Sequence, residues 1–475
     1  MIQMYMRGAA LGVALWAALS APVTADVRFS QTPASQVAQK RLHAFNAGDA
    51  AALKAFKKAH EPDMDVQREL AFRQMTGGFD VLRVDEKSPD EVTVILREHD
   101  GDRVGTLDLR LNKDQKIERL RVTPMAVVPA ELMPARLSEN EAWQQLLQKA
   151  ERFVANEQFA GNVAVGREGK VRLAKSWGDA DRARATKNDL NTRFRMGSMY
   201  KMFTAVAVLK LVEQGRIDLE ASLKTYLPDY PNAALAEGVR IRHLLTHTGG
   251  TGDIFTDEYN AQREKTREHA DYLRLFGARA PEFSPDSKEN YSNYGYVLLG
   301  AVIERVSGQS YHAFVREQVF KPAGMQNTGA EPEAQAREKV SIGYTQSENG
   351  WVDNRNLLPW RGTAAGGGYS TVGDLLRFGD ALLKGRLLSP KTVAEATRAQ
   401  APSGVYGYGF QLGGEGDARQ FGHTGGAEGM NGALRIYPAT GDVVVALGNI
   451  DPPAAEALVE YYGNRMPLNK TLTGK

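Results

Sequence analysis

RMGSMYKMF, residues 195–203, sets Ser198 and Lys201 three apart just where a polar stretch gives way to TAVAVLKLVEQG, residues 204–215. That second segment is apolar on nearly every face and ends at Gly215, so it reads as a buried helix with a glycine stop. On a helix, residues three apart lie about 60° apart around the axis and roughly 4.5 Å along it, so the two side chains can meet. A lysine at the buried mouth of such a helix loses hydration, which disfavours its charged form and lowers its pKa. A neutral amine can take a proton from a serine hydroxyl, and the backbone N–H groups of a helix N-terminus favour negative charge developing nearby. The same four letters also suit an ordinary N-cap serine followed by a lysine whose stem lies along the surface. The surrounding chain has to decide.

The chain has 475 residues, 42% hydrophobic and 24% charged, enough for two or three domains with sizeable cores. Its 59 basic and 57 acidic residues are dispersed, which leaves no nucleic-acid or membrane-surface footprint. There is no cysteine, hence no disulfide and no thiolate nucleophile. Residues 1–25 carry Arg7, an apolar run from Ala9 to Leu19 and small residues at Val23 and Ala25, the layout of a cleaved signal peptide. The apolar run is too short to span a bilayer, so the expectation is a secreted or periplasmic protein with no membrane span after cleavage.

Residues 26–124 read as a small α+β domain. Val37, Leu42 and Phe45, then Leu53 and Phe56, keep helical spacing; after Gly77 and Gly78, Val92, Val94 and Leu96, then Leu107, Leu109 and Leu111, then Leu120 and Val122, alternate as strands. Its element order resembles the helix-on-sheet domains of the nuclear-transport-factor-2-like type. Residues 125–137, rich in proline, suit a linker; 138–465 form the main domain and 466–475 a C-terminal tail. Ser138 with Glu141 reads as a capping box, and GNVAVG and KVRLAKSW as a hairpin.

FAGNVAVGREGKVRLAKSWGDAD, TRFRMGSMYKMFTA and VRIRHLLTHTGG, taken together, resemble the serine β-lactamase and penicillin-binding-protein superfamily, in the branch around class C β-lactamases, D-alanyl-D-alanine carboxypeptidases, D-aminopeptidases and related esterases. An S-x-x-K serine is also the nucleophile motif of a sister branch of that superfamily. The likeness runs from about Phe159 to Asn449. It implies a β-lactamase/transpeptidase-like α/β (α+β) fold, an antiparallel sheet flanked by helices plus an all-helical region. It also implies that Tyr291 and Asn293 are the second motif, Y-x-N. Tyr291 would share the role of base as a phenolate favoured by the nearby lysine, and Asn293 would hydrogen-bond substrate and lysine. By the residues alone, Asn293 is equally an N-cap and Tyr291 a rim residue.

His-Thr-Gly occurs twice. At His247 it ends a helical pattern and runs into Gly249 and Gly250, which read as capping glycines. At His423 it stands in strand context, and the resemblance makes it the third motif: His423, Thr424 and Gly425 bind substrate, and the N–H groups of Ser198 and Gly426 form the oxyanion hole. A histidine in place of lysine there lowers the expected grip on a β-lactam carboxylate, because imidazole is mostly neutral near pH 7. His243 and His247 have i, i+4 spacing but no H-E-x-x-H glutamate, so no metal is expected, and no cofactor. AAGGGYST, residues 364–371, lacks a phosphate-loop lysine and reads as a close-packed turn beside the site.

The reading is an exported serine hydrolase acting through an acyl-enzyme, Ser198 attacking while Lys201 and Tyr291 move protons. Its partner is a small-molecule or peptide substrate, which the cell wall could supply: a carboxylic ester, a D-amino-acid peptide or a β-lactam. The alternative is a penicillin-binding-like recognition module with little turnover, its first domain engaging a partner. A Ser-His-Asp hydrolase is disfavoured because G-x-S-x-G is missing.

Overall fold

The computed structural model describes residues 28–125, 128–336, 340–348 and 350–468, so the expected signal peptide and most of the C-terminal tail lie outside the described residues. The chain divides into two compact units at residues 127 and 128, with 75–77 and 99–102 grouped with the second.

The first unit has helices α1 (Pro33–Ala47), α2 (Ala50–His60) and α3 (Val66–Thr76), followed by strands β1 (Phe79–Ser88), β2 (Glu91–Glu98), β3 (Val104–Leu111) and β4 (Ile117–Pro124). The strands form an antiparallel meander in sequence order. One sheet face carries Val92, Val94, Leu96, Leu107 and Leu109, which pack with Val37, Leu42, Phe45, Leu53 and Phe56 of the helices. β1 is not evident from sequence: DVLRVDEKS is half charged, and all but Phe79 of the strand are exposed or only partly buried, so the alternation is faint.

The second unit is built on a six-stranded antiparallel sheet. α4 (Glu139–Ala155) opens it, capped as expected by Ser138, whose N–H donates to Glu141 at 3.0 Å while its Oγ accepts from the Glu141 N–H at 3.4 Å. The hairpin β5 (Gly161–Arg167) and β6 (Lys170–Trp177) follows. The next two hundred or so residues are mainly helical. They include α5 (Lys201–Glu213), α6 (Ile241–Leu245), α7 (Asn293–Ser307) and α8 (Val372–Leu383). The chain then returns with β7 (Gln411–Gly413), β8 (Gln420–Ala427), β9 (Met430–Tyr437), β10 (Asp442–Gly448) and α9 (Ala454–Arg465). The sheet order is β7-β8-β9-β10-β5-β6.

Both faces of this sheet are covered, which explains why β10 reads DVVVALG with no polar alternation. Val444 and Ala446 pack with α4 and α9, while Val443, Val445 and Leu447 join a large core with α5, α7 and α8. Among the described residues no helix is long and apolar enough to cross a membrane.

Candidate active site

Ser198 does not lie within the α-helix proper. Gly197–Tyr200 form a 3₁₀ turn that runs directly into α5, so the serine stands one turn ahead of the helix that anchors the lysine. In a 3₁₀ turn side chains three apart nearly eclipse, which brings them closer than an α-turn would. Lys201 Nζ lies 3.2 Å from Ser198 Oγ. Gly197 has φ +51°, a left-handed value that glycine adopts without strain. Nine other residues of α5 are buried with Lys201, among them Met202, Phe203, Val206, Val208 and Leu209. Burial of each large side chain contributes about 2 kcal/mol, so the helix is held firmly enough to keep a lysine out of water.

The surroundings of Lys201 define its protonation. Nζ donates to Asn293 Oδ1 at 2.7 Å and to the Ala365 carbonyl at 2.5 Å, with Ser198 Oγ as its third neighbour. A neutral amine has two N–H bonds and one lone pair, and this environment offers two obligate acceptors and one hydroxyl. With the amine neutral, its lone pair faces the Ser198 hydroxyl; with it charged, its third N–H donates to Ser198 Oγ. Complete burial lowers the lysine pKa from 10.5 to about 7, against an opposing pull from the negative charge of Asp253. The Asn293 orientation is fixed by chemistry, since Nδ2 lies 3.1 Å from both Asp253 oxygens, which only accept.

Because Lys201 loses its proton near pH 7, attack by Ser198 should rise about tenfold per pH unit below that point and level off above it. Labelling rates with a fluorophosphonate across the range check this; a flat profile through neutrality would contradict the lysine as base. The same shift bears on stability. The unfolded chain, with its lysine at 10.5, holds a proton that the folded chain releases between about 7 and 10.5, so Lys201 contributes stability that rises with pH across that window.

Tyr291 requires a correction. The sequence suggests a partial phenolate favoured by the lysine, but burial of the hydroxyl end pushes its pKa well above the ordinary tyrosine value; the hydrogen bond with Ser198 pulls the other way and the Asp253 charge adds to the rise. The ring remains 41% exposed, so the rim position and the inward hydroxyl are both real features of this side chain. The burial that lowers the lysine pKa thus also holds Tyr291 as a phenol. Lys201 Nζ lies 4.7 Å from its ring centre.

The N-cap of α7 is Ser292, whose Oγ accepts from the Gly295 N–H at 2.9 Å, which leaves Asn293 free to serve Lys201. His247 follows the end of α6, as the sequence places it, and is also a buried neighbour of the site. It takes a left-handed φ of +61° itself, where a glycine is expected, and its ring packs 4.2 Å from that of Tyr291. Nδ1 accepts from the Ser292 N–H at 3.1 Å, which puts the ring proton on Nε2. His243 turns to Asp286, 3.0 Å away, so the two histidines do not converge. Among the described residues no cluster of three metal-type ligands occurs.

His423 lies on β8 as the strand context requires, but its imidazole is 1% exposed. Nδ1 donates to the Thr424 carbonyl at 2.6 Å and Nε2 accepts from Tyr406 Oη at 2.9 Å. Burial first, and the Lys201 charge second, bring its pKa to about 3, so the ring is neutral. Thr424 is clamped by Gln411, which accepts from its N–H and donates to its Oγ1, both at 3.1 Å. Gly425 passes so close to the serine turn that a Cβ there would sit 1.9 Å from the Met196 carbonyl oxygen. The Gly426 nitrogen would be 3.2 Å from a Cβ on Gly197, so the β8 backbone runs close beside the serine turn.

The glycine-rich 364–371 segment lies against the turn. Met196 N–H donates to Gly368 O at 2.8 Å, and Tyr369–Ser370 pair with Phe194–Arg195. Its Ala364 carbonyl accepts from Thr204 Oγ1 at 2.7 Å, next to the Ala365 carbonyl that holds Lys201. Sequence reasoning misses this backbone acceptor because it has no side-chain signature, and misses Asp253 because TGDI looks like a plain turn.

A family model described as Beta-lactamase matches residues 146–465. The chain is 29% identical over 268 residues to a Bacillus subtilis protein described as a putative penicillin-binding protein, covering 56% of this chain and 65% of that one, so it spans just under two thirds of that relative's length. It is 30% identical over 275 residues to esterase EstB of Burkholderia gladioli, covering 50% of this chain and 70% of that protein. The structure is similar to that of a D-stereospecific amidohydrolase from a Streptomyces species, with TM-score 0.55, 27% identity and coverage of 68% and 98% of the two chains.

Proposed function

Since the chain belongs to the beta-lactamase family, we propose that it is an exported serine hydrolase that cleaves an ester or amide through an acyl-enzyme. The observation that carries this reading is the coordination of Lys201 Nζ, with two hydrogens engaged by Asn293 and Ala365 and the remaining position facing Ser198 Oγ. As Ser198 Oγ bonds to the substrate carbonyl carbon, its proton passes to Lys201, and the carbonyl oxygen becomes an oxyanion beside the N–H groups of Ser198 and Gly426. Collapse breaks the bond to the leaving alcohol or amine, which takes a proton from Tyr291 or from protonated Lys201. Water then attacks the acyl-enzyme by the reverse proton route and frees Ser198.

Relatives that include an esterase and a D-stereospecific amidohydrolase support ester and amide substrates alike. The neutral, inward-turned His423 offers no positive charge to a substrate carboxylate, which places β-lactams last. Export rests on reading residues 1–25 as a cleaved leader.

A fluorophosphonate probe tests the proposal. The wild-type protein is expected to label stoichiometrically at Ser198, and Ser198→Ala to remain unlabelled. Failure of the folded wild type to label would remove the hydrolase reading in favour of a recognition module.

A further inference from the structure

His247 is a buried side chain to which the catalytic steps give no task, and it is held at a cost. Its backbone takes a left-handed φ of +61°, which residues with a Cβ rarely adopt. Burial first, and the charge of Lys201 second, keep its imidazole neutral. With Nδ1 accepting, Nε2 carries the hydrogen, and among the described residues that nitrogen meets no hydrogen-bond partner. Neither the strained backbone nor the unmatched N–H is favoured by stability alone.

Both features belong to a residue that grips the second motif. The His247 carbonyl accepts from the Asn290 N–H at 2.9 Å, and its Nδ1 accepts from the Ser292 N–H at 3.1 Å. One residue thus holds the chain on either side of Tyr291. Its ring also lies 4.2 Å from the Tyr291 ring, and it packs 4.9 Å from Tyr406 and 5.3 Å from Tyr296. Those two rings are themselves anchored, Tyr406 by donating to His423 of β8 and Tyr296 by donating to the Leu245 carbonyl at the end of α6. Tyr291 is open to solvent on its outer side, while its hydroxyl is hydrogen-bonded to Ser198. The aim of that hydroxyl therefore depends on the inner side, where His247 lies.

We propose that His247 is a positioning residue for proton delivery, holding the Tyr291 hydroxyl where it protonates the leaving oxygen or nitrogen as the acyl-enzyme forms. The proposal rests on the hydrolase reading above. Ser198 Oγ bonds to the carbonyl carbon and its proton passes to Lys201. The bond to the leaving atom breaks as Tyr291 gives that atom its hydroxyl proton, and Tyr291 recovers one from protonated Lys201. His247 exchanges no proton in this sequence.

The experiment measures how fast two phosphonates label Ser198 in the full chain. They share one alkylphosphonyl group and differ in the leaving group, p-nitrophenoxide or the more basic phenoxide, which needs a proton more. The ratio of the two rate constants does not depend on the fraction of enzyme that is folded. Tyr291→Phe is expected to widen this ratio by about tenfold or more. His247→Gly, which accepts the left-handed φ but removes the ring, should widen it by a comparable factor. His247→Asn, which tolerates the same φ and keeps an acceptor for the Ser292 N–H, should widen it less. In a Tyr291→Phe background His247→Gly should leave the ratio unchanged, since the two residues act as one unit. A wild-type ratio in Tyr291→Phe or in His247→Gly overturns the proposal. So does a His247→Asn effect as large as that of His247→Gly, or a further widening in the Tyr291→Phe background. A wild-type enzyme that does not label overturns the hydrolase reading and this inference with it.

Discussion

Acylation of the Lys201→Ala enzyme falls about 10³-fold, the range expected when a positioned general base is lost. Asn293 Oδ1 and the Ala365 carbonyl lose their shared donor, and Ser198 keeps its proton. Removing a buried amine that strains toward neutrality need not unfold the protein, so thermal denaturation run in parallel should still show a cooperative transition. Lys201→Met, which fills the same space without a nitrogen, separates lost chemistry from a cavity. Both variants should lose the pH dependence centred near 7 along with the rate. Near-normal labelling by either folded variant would exclude Lys201 as the base.

Gly425→Ala should be nearly as damaging, although it adds only a methyl group. That carbon would lie 1.9 Å from the Met196 oxygen, a backbone atom that cannot swing aside, so β8 and the serine turn must separate. Separation takes the Gly426 N–H away from the Ser198 N–H, and loss of one oxyanion donor costs about 10²–10³ in kcat. The loss should fall mainly on kcat, with the far-ultraviolet circular dichroism of the sheet preserved. Activity within a few fold of wild type would show that this contact does not set the geometry of the site.

Different physical signals account for what the sequence discloses and what it hides. β5, β9 and β10 are legible because a sheet covered on both faces demands long apolar runs, and α4 because its cap is local chemistry. Ser198, Lys201, Tyr291 and Asn293 can be singled out from their motifs, and the structure brings their side chains together. The 3₁₀ form of the serine turn is not legible, since it depends on Gly197 passing β8 and on the 364–371 segment, both distant in sequence. Nor is the protonation of Tyr291. A nearby lysine suggests a phenolate only if that lysine is charged, and the burial that neutralises the lysine also favours the phenol. His247 is hidden by its glycine neighbours, which look like the cap that the histidine itself provides.

The order of strands β7-β8-β9-β10-β5-β6 has a further consequence for biosynthesis. The serine and lysine precede in the chain the strands that face them, and that wall docks by pairing β10 with β5. Until those later strands pair, the serine turn lacks the β8 backbone that Gly425 and Gly426 bring against it.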